Sequence, residues 1–210
     1  MDSGLPRVRR SPATVRALVL EAARELFAEQ GYAQVSTREI ARRAGVTQAQ
    51  VFRHFGSKAV LFVEAAYRPF GDFVTDYVHR WAEQGHGANT SAHDTEVFVG
   101  GLYRLLRENH GLLGAMAGSA AGDAPELAAA TAQFLRAVFD RLEGEVALES
   151  GAKGSKSMDP AYAVRFSFAL VFGVSVLDQA LFPLDGRPSQ ARTVEEMAGF
   201  ILRGASIPES

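Results

Sequence analysis

The chain has 210 residues, 47% of them hydrophobic, with 22 Lys and Arg against 24 Asp and Glu and a formal net charge of −2. That length suits one or two domains with a sizeable core. The absence of Cys excludes disulfides, thiolate metal sites and a cysteine nucleophile, and the opening MDSGLPRVRR lacks an apolar signal core, so a cytoplasmic location is expected.

The charge is polarised. Residues 1–58 hold ten cations and five acids, a balance of +5, whereas residues 59–210 hold twelve and nineteen, a balance of −7. A basic end suits phosphate, and an acidic remainder keeps the rest of the surface away from it. Residues 1–11 read as a disordered basic arm carrying Arg7, Arg9 and Arg10, either a groove- or phosphate-seeking arm or a solubilising tail. Pro12 fits a first helical turn. Val15, Leu18, Val19, Ala22, Ala23, Leu26 and Phe27 then repeat at helical spacing as far as Gly31, a natural stop.

The next stretch, STREIARRAGVTQAQVFRHFGSK, spans 36–58. Ser36 with Glu39 and Thr47 with Gln50 are two capping-box patterns, so helices are predicted to start at both places. Ala44-Gly45-Val46 supplies a small residue, a glycine for the left-handed conformation and an apolar corner. This is the grammar of a helix-turn-helix, whose second helix enters a major groove. Ile40, Ala41, Val46, Val51, Phe52 and Phe55 are expected inward. Thr37, Arg38, Arg42, Arg43, Gln48, Gln50, Arg53 and His54 are expected outward, an acid-free set that suits base edges and phosphates. The same pattern also fits the solvated face of an ordinary helical hairpin.

The joint spacing is more specific than any single piece. From Val15 to Leu61, the first helix ending in FAEQGY, the core of Thr37, Ile40, Ala41, Ala44, Gly45 and Val46, and the exit FRHFGSK resemble the N-terminal DNA-binding domain of TetR-family transcriptional regulators. The resemblance implies a dimeric, all-α regulator that binds a roughly palindromic double-stranded DNA operator and is released from it by a small effector. It also implies a DNA-contacting set of Arg9, Arg10, Thr37, Arg38, Thr47, Gln48, Gln50, Phe52, Arg53, His54 and Lys58. Within that set His54 and Lys58 are expected to hold phosphates, and Gln48, Gln50 and Arg53 to read bases. Phe52 stands where the family commonly has Tyr, so a phosphate-directed hydroxyl is missing.

Beyond Gly56, Ser57 is an expected N-cap for a helix from Lys58 to about Glu83, with a kink or division at Pro69. It carries Tyr67, Phe70, Phe73, Tyr77 and Trp81, which fit either helix packing or an effector cavity shared with Phe98, Tyr103, Met116 and Phe134. After a loop over 84–91, a helix is predicted over 92–109, with Gly100-Gly101 open to close approach. A short helix over 112–120 and one from about 125 to 149 follow, then a Gly, Ser and Lys linker over 150–157.

Asp159-Pro160 opens a helix through 182 that is apolar almost all round and must be covered on every side. Arg165, Ser167, Ser175, Asp178 and Gln179 argue for a helical interface rather than a membrane span. With a last amphipathic helix over 189–203 it forms the expected dimer interface, through Phe168, Phe172, Leu177, Met197 and Ile201.

The expected fold is all-α: a three-helix head over 12–57 and a six-helix effector-binding and dimerisation body over 58–205. No nucleotide-loop, nucleophile-elbow or H-E-x-x-H motif occurs. His79, His86 and His93 lack ligating neighbours one turn away, so no enzyme activity, metal or cofactor is expected. Asp178 is the best lone candidate for a perturbed carboxylate, and a satisfied helix-interface hydrogen bond is the favoured explanation of it. The alternative is a helical small-molecule-binding or catalytic protein whose hairpin does not bind DNA.

Overall fold

A computed structural model describes residues 10–84, 92–109, 124–153, 158–182 and 185–205. Among these are eight helices and no strand: α1 Pro12–Gln34, α2 Thr37–Ala44, α3 Gln48–Phe55, α4 Lys58–Gln84, α5 Ala92–Glu108, α6 Pro125–Lys153, α7 Pro160–Leu181 and α8 Gln190–Ala205. Residues 1–9 of the expected arm over 1–11 and the expected helix over 112–120 lie outside the described residues, as do Arg9, His86 and Met116.

The head closes on aliphatic side chains that the helical period places on facing stripes. Val15, Val19, Ala23 and Leu26 of α1 meet Ile40, Ala41 and Ala44 of α2, Val51 and Phe55 of α3 and Leu61 of α4, all buried. Each fully buried Leu or Ile contributes about 1.5–3 kcal/mol, enough for so small a unit to be rigid. Ser11 accepts from the Thr14 amide and Pro12 takes the first helical position. Gly31, with φ 78° and ψ 165°, interrupts α1 where a stop is expected, but the chain recovers one more turn to Gln34. That turn brings Tyr32 to within 6.1 Å of Phe27 and 5.0 Å of Phe62, centroid to centroid.

α4 joins head to body, packing on α1 at one end and on α6 along the rest. Ser57 caps it by accepting from the Val60 amide at 3.1 Å. Pro69 sits inside the helix and does not divide it, which excludes the division among the two expected outcomes. The loss of one i→i−4 bond is tolerated because Tyr67 and Phe70, on either side, are locked in place. Tyr67 donates or accepts a hydrogen bond with Thr131 at 3.3 Å, and its ring lies 5.5 Å from Phe134. Phe70 lies 5.3 Å from Phe168.

In the body, α5 packs on α8 and α7, and α6 on α7. The Gly100-Gly101 step is closed by side chains. Val194 approaches the Gly100 Cβ position at 3.3 Å, and the Phe73 ring reaches 2.7 Å from that of Gly101, so a side chain at Gly101 would displace the Phe73 ring. α6 runs on to Lys153, so 150–153 is helix although its composition reads as linker.

α7 buries only Val164, Val171, Ser175 and Asp178, one stripe, so its all-round apolar surface is not covered by the described residues of one chain. By length and composition alone α7 would pass for a membrane span, with a mean hydropathy of 1.6. Asp178 is buried and fully engaged: Tyr103 donates to it at 3.1 Å, and Arg107 and Arg187 both pair with it. This carboxylate ties α5, α7 and the turn before α8 together, as a satisfied interface residue should.

Candidate nucleic-acid interface

The site is built by two short helices held at a fixed corner. Ser36 caps α2 by accepting from the Glu39 amide at 3.2 Å. The Glu39 carboxylate does not return to Ser36 as a full capping box requires; it accepts from Gln30 at 3.4 Å instead. Gly45 then adopts the left-handed conformation, φ 63° and ψ 40°. Its amide donates to Arg42, and the Val46 amide to Ala41 at 3.0 Å, the pair of bonds that ends a helix sharply. Thr47 opens α3 with a complete capping box, its oxygen taking the Gln50 amide at 3.2 Å and its own amide donating to Gln50 Oε1 at 2.9 Å.

Two expectations for this corner are corrected. Thr37 is buried, 9% exposed, and accepts from Gln48 Nε2 at 2.9 Å, so it braces α2 against α3 rather than facing outward. Phe52, expected either inward or against the DNA backbone, is 46% exposed, which corrects the inward reading, because Val51 and Phe55 already fill the inward stripe of α3 and Phe52 falls beside it. The outward strip of α3 is therefore Gln48, Ala49, Phe52 and Arg53. Ala49 is absent from the expected contacts; its place one turn before Arg53 and Phe52 is the signal that finds it. Gln50 is half-buried, and the cap engages its Oε1.

The cations divide into engaged and free. Arg43 pairs with Glu25 at 3.0 Å and Glu29 at 3.5 Å. Arg16 pairs with Glu64 and lies over the Phe55 ring. Arg38, Arg42 and Arg53 are exposed and, among the described residues, have no acidic partner. Arg10 turns back onto the corner, donating to the Gly45 carbonyl at 3.2 Å. A cleft of about 1420 Å³ beside it is lined by Arg10, Ser11, Thr47, Gln50, Arg53 and His54, and the buried His54 Nε2 has no hydrogen-bond partner among the described residues. Lys58 Nζ lies 4.3 Å from the Tyr32 ring centroid and donates to the Ala33 carbonyl at 3.4 Å. Burial there lowers its pKa from the ordinary lysine value.

The described members of the expected effector set divide into buried packing residues and a half-buried aromatic cluster. Tyr67, Phe70 and Tyr103 are buried and serve as packing residues. Phe73, Tyr77, Trp81 and Phe98 form a half-buried cluster in which Tyr77 and Phe98 centroids are 4.4 Å apart and Tyr77 and Trp81 5.5 Å. Phe73 also lines a cleft of about 930 Å³ between α4, α5 and α8, with Arg80, His93, Glu96 and Arg104 at its rim. Phe134 of α6 packs on Tyr67 and Phe70 of α4.

Of the expected dimer residues, Met197 is buried within the chain and Phe168 packs on Phe70, Phe139 and Phe172. Leu177 is 51% exposed; Ile201 and Phe172 are half-buried. The open apolar surface is instead carried by Tyr162, Phe166, Val176, Leu177 and Leu181 of α7 and Phe200 of α8.

A three-helix head with a capped corner, attached by one long helix to an all-α body, defines a helix-turn-helix protein. Residues 19–65 match the family described as bacterial regulatory proteins, tetR family. Over 65 residues the chain is 46% identical to the HTH-type transcriptional repressor Rv3405c of Mycobacterium tuberculosis, a match covering 31% of this chain and 34% of that protein. The match thus spans about a third of that relative's length.

The body is matched in fold. The fatty acid degradation regulator FadR of Bacillus halodurans aligns over 93% of this chain and 97% of its own with a TM-score of 0.65 at 19% identity. FadR of Bacillus subtilis, in complex with stearoyl-CoA, covers 90% and 98% with a TM-score of 0.58 at 19% identity. The family and these relatives' names are those of transcriptional regulators, which are not enzymes.

Proposed function

We propose that the chain is a cytoplasmic, homodimeric transcriptional repressor that binds a palindromic DNA operator through α3 and is released from it by an apolar or amphipathic small molecule. The observation that carries this reading is the outward strip of α3 beside three arginines, Arg38, Arg42 and Arg53, that have no acidic partner among the described residues. Guanidinium groups of this kind are free to pair with guanine or phosphate. Arg10, Thr47 and His54 line one concave face that suits a phosphate, and Lys58 adds a further cation at the start of α4. Gln48 and Arg53 point outward for base contact, and Gln48 keeps a second amide proton for that purpose.

Effector coupling runs through α4 in this reading. The apolar entry is the half-buried cluster of Phe73, Tyr77, Trp81 and Phe98 rather than the packed Tyr67, Phe70 and Tyr103. From the body, Tyr67 and Phe62 form a continuous aromatic contact to Phe27 in the head. The fatty-acyl ligand named for the Bacillus subtilis structure supports an amphipathic chemistry. Trp81 is the only tryptophan, so its emission tests the site. A long-chain acyl thioester should shift that emission and weaken duplex binding by the same factor at which duplex weakens acyl binding, since coupling is reciprocal. An emission shift with unchanged duplex affinity contradicts the proposed release.

A further inference from the structure

Phe52 is an aromatic ring that its own chain leaves 46% exposed. Among the described head residues it is the exposed large hydrophobic side chain, and it sits in the middle of the outward strip of α3, one turn after Gln48 and next to Arg53. Ala49, three residues earlier, extends the apolar surface along the same face. A solvent-facing Phe lowers solubility without contributing to the head's core, which Val51 and Phe55 already complete. Its phenyl ring has no hydroxyl to donate to phosphate.

The polar neighbours narrow what the strip can recognise. Gln48 gives one amide proton to Thr37 at 2.9 Å, which fixes its rotation, and Gln50 Oε1 is engaged in the cap. Arg53, with no acidic partner among the described residues, offers a donor pair to guanine. Between these donors, on the same exposed face of α3, lies a two-residue apolar patch of Ala49 and Phe52. In the major groove, the apolar group available to meet such a patch is the 5-methyl of thymine.

We propose that Phe52, seconded by Ala49, selects thymine at one position of each half-site by covering its 5-methyl group, beside a guanine read by Arg53. This rests on the DNA-binding reading given above. Phe52 is then a specificity residue of direct readout rather than a backbone contact.

The test uses the full chain and a duplex enriched by it from a random-sequence library, followed by fluorescence anisotropy on duplexes in which each thymine is replaced singly by deoxyuridine. Burying one methyl corresponds to about a fourfold change in affinity. The wild type should therefore lose about fourfold at one thymine per half-site, Phe52→Ala should bind thymine and deoxyuridine alike there, and Phe52→Tyr should keep the discrimination. Equal affinity of the wild type for both bases at every position overturns the inference and leaves DNA binding standing. So does a Phe52→Ala variant that still discriminates, or one that binds all sequences uniformly more weakly, which would make Phe52 a backbone contact. Failure to enrich any duplex overturns the DNA-binding reading and the inference together.

Discussion

Tyr77 illustrates how the body's polar atoms are tuned by what surrounds them. Burial against Phe98 and Trp81, reinforced by the nearby Asp94 carboxylate, raises its hydroxyl pKa from 10 to about 12. A raised folded-state value means that the unfolded chain gives up this proton first. The Tyr77 contribution is therefore complete below pH 10 and is lost as pH rises from 10 to about 12. Urea unfolding followed across that window should show stability falling with pH in the wild type and a shallower fall in Tyr77→Phe. Lys58 has the opposite character. Burial lowers its pKa, and the Ala33 carbonyl and Tyr32 ring hold the ammonium in place. The Tyr77–Trp81 pairing is legible as helical spacing, whereas the Tyr32 and Ala33 partners of Lys58, 25 and more residues away, are not.

The recognition corner is made by element ends, and most of it is legible in the sequence. Ser36, Gly45 and Thr47 are residues whose chemistry determines backbone conformation locally, so their roles follow from spacing alone. Helix faces are legible as far as periodicity reaches. In α1 the periodic stripe is buried except for the half-buried Leu18, and Leu20 beside it is buried as well. In α3, only eight residues long, period alone does not decide whether Phe52 or its neighbours fill the core, and packing against α1 excludes it. The aromatic stripe of α4 poses the same difficulty: spacing places five rings on one helix, but contacts with Thr131, Phe134 and Phe168 make two of them core. The end of α6 shows composition overridden by continuity of the helix. Since the Thr47 cap is complete, Thr47→Ala should cost about 1 kcal/mol of stability. By fraying α3 it should also weaken duplex binding more than it lowers stability, which paired thermal melts and anisotropy titrations measure.

At the scale of the whole molecule, the uncovered surface of α7 and α8 and the polarised charge belong to one design. Phe166 and Phe200 are 58% and 64% exposed, a surface that a soluble monomer rarely displays and that a two-fold partner presenting the same residues would cover. Leu177→Arg, at an exposed position, should give a folded monomer by sedimentation, whereas Phe172→Arg, stacked on Phe168, should unfold the chain. A dimer places two α3 helices on one duplex, and each neutralised phosphate adds about 0.9 to the slope of log affinity against log salt. The most direct measurement is that slope, taken by anisotropy with the full chain on its enriched duplex. Binding should weaken steeply and linearly as salt rises, with Lys58→Ala reducing the slope by about one per protomer while leaving base preference unchanged. Affinity that does not respond to salt, or a duplex retained no better than a random one, would contradict the account.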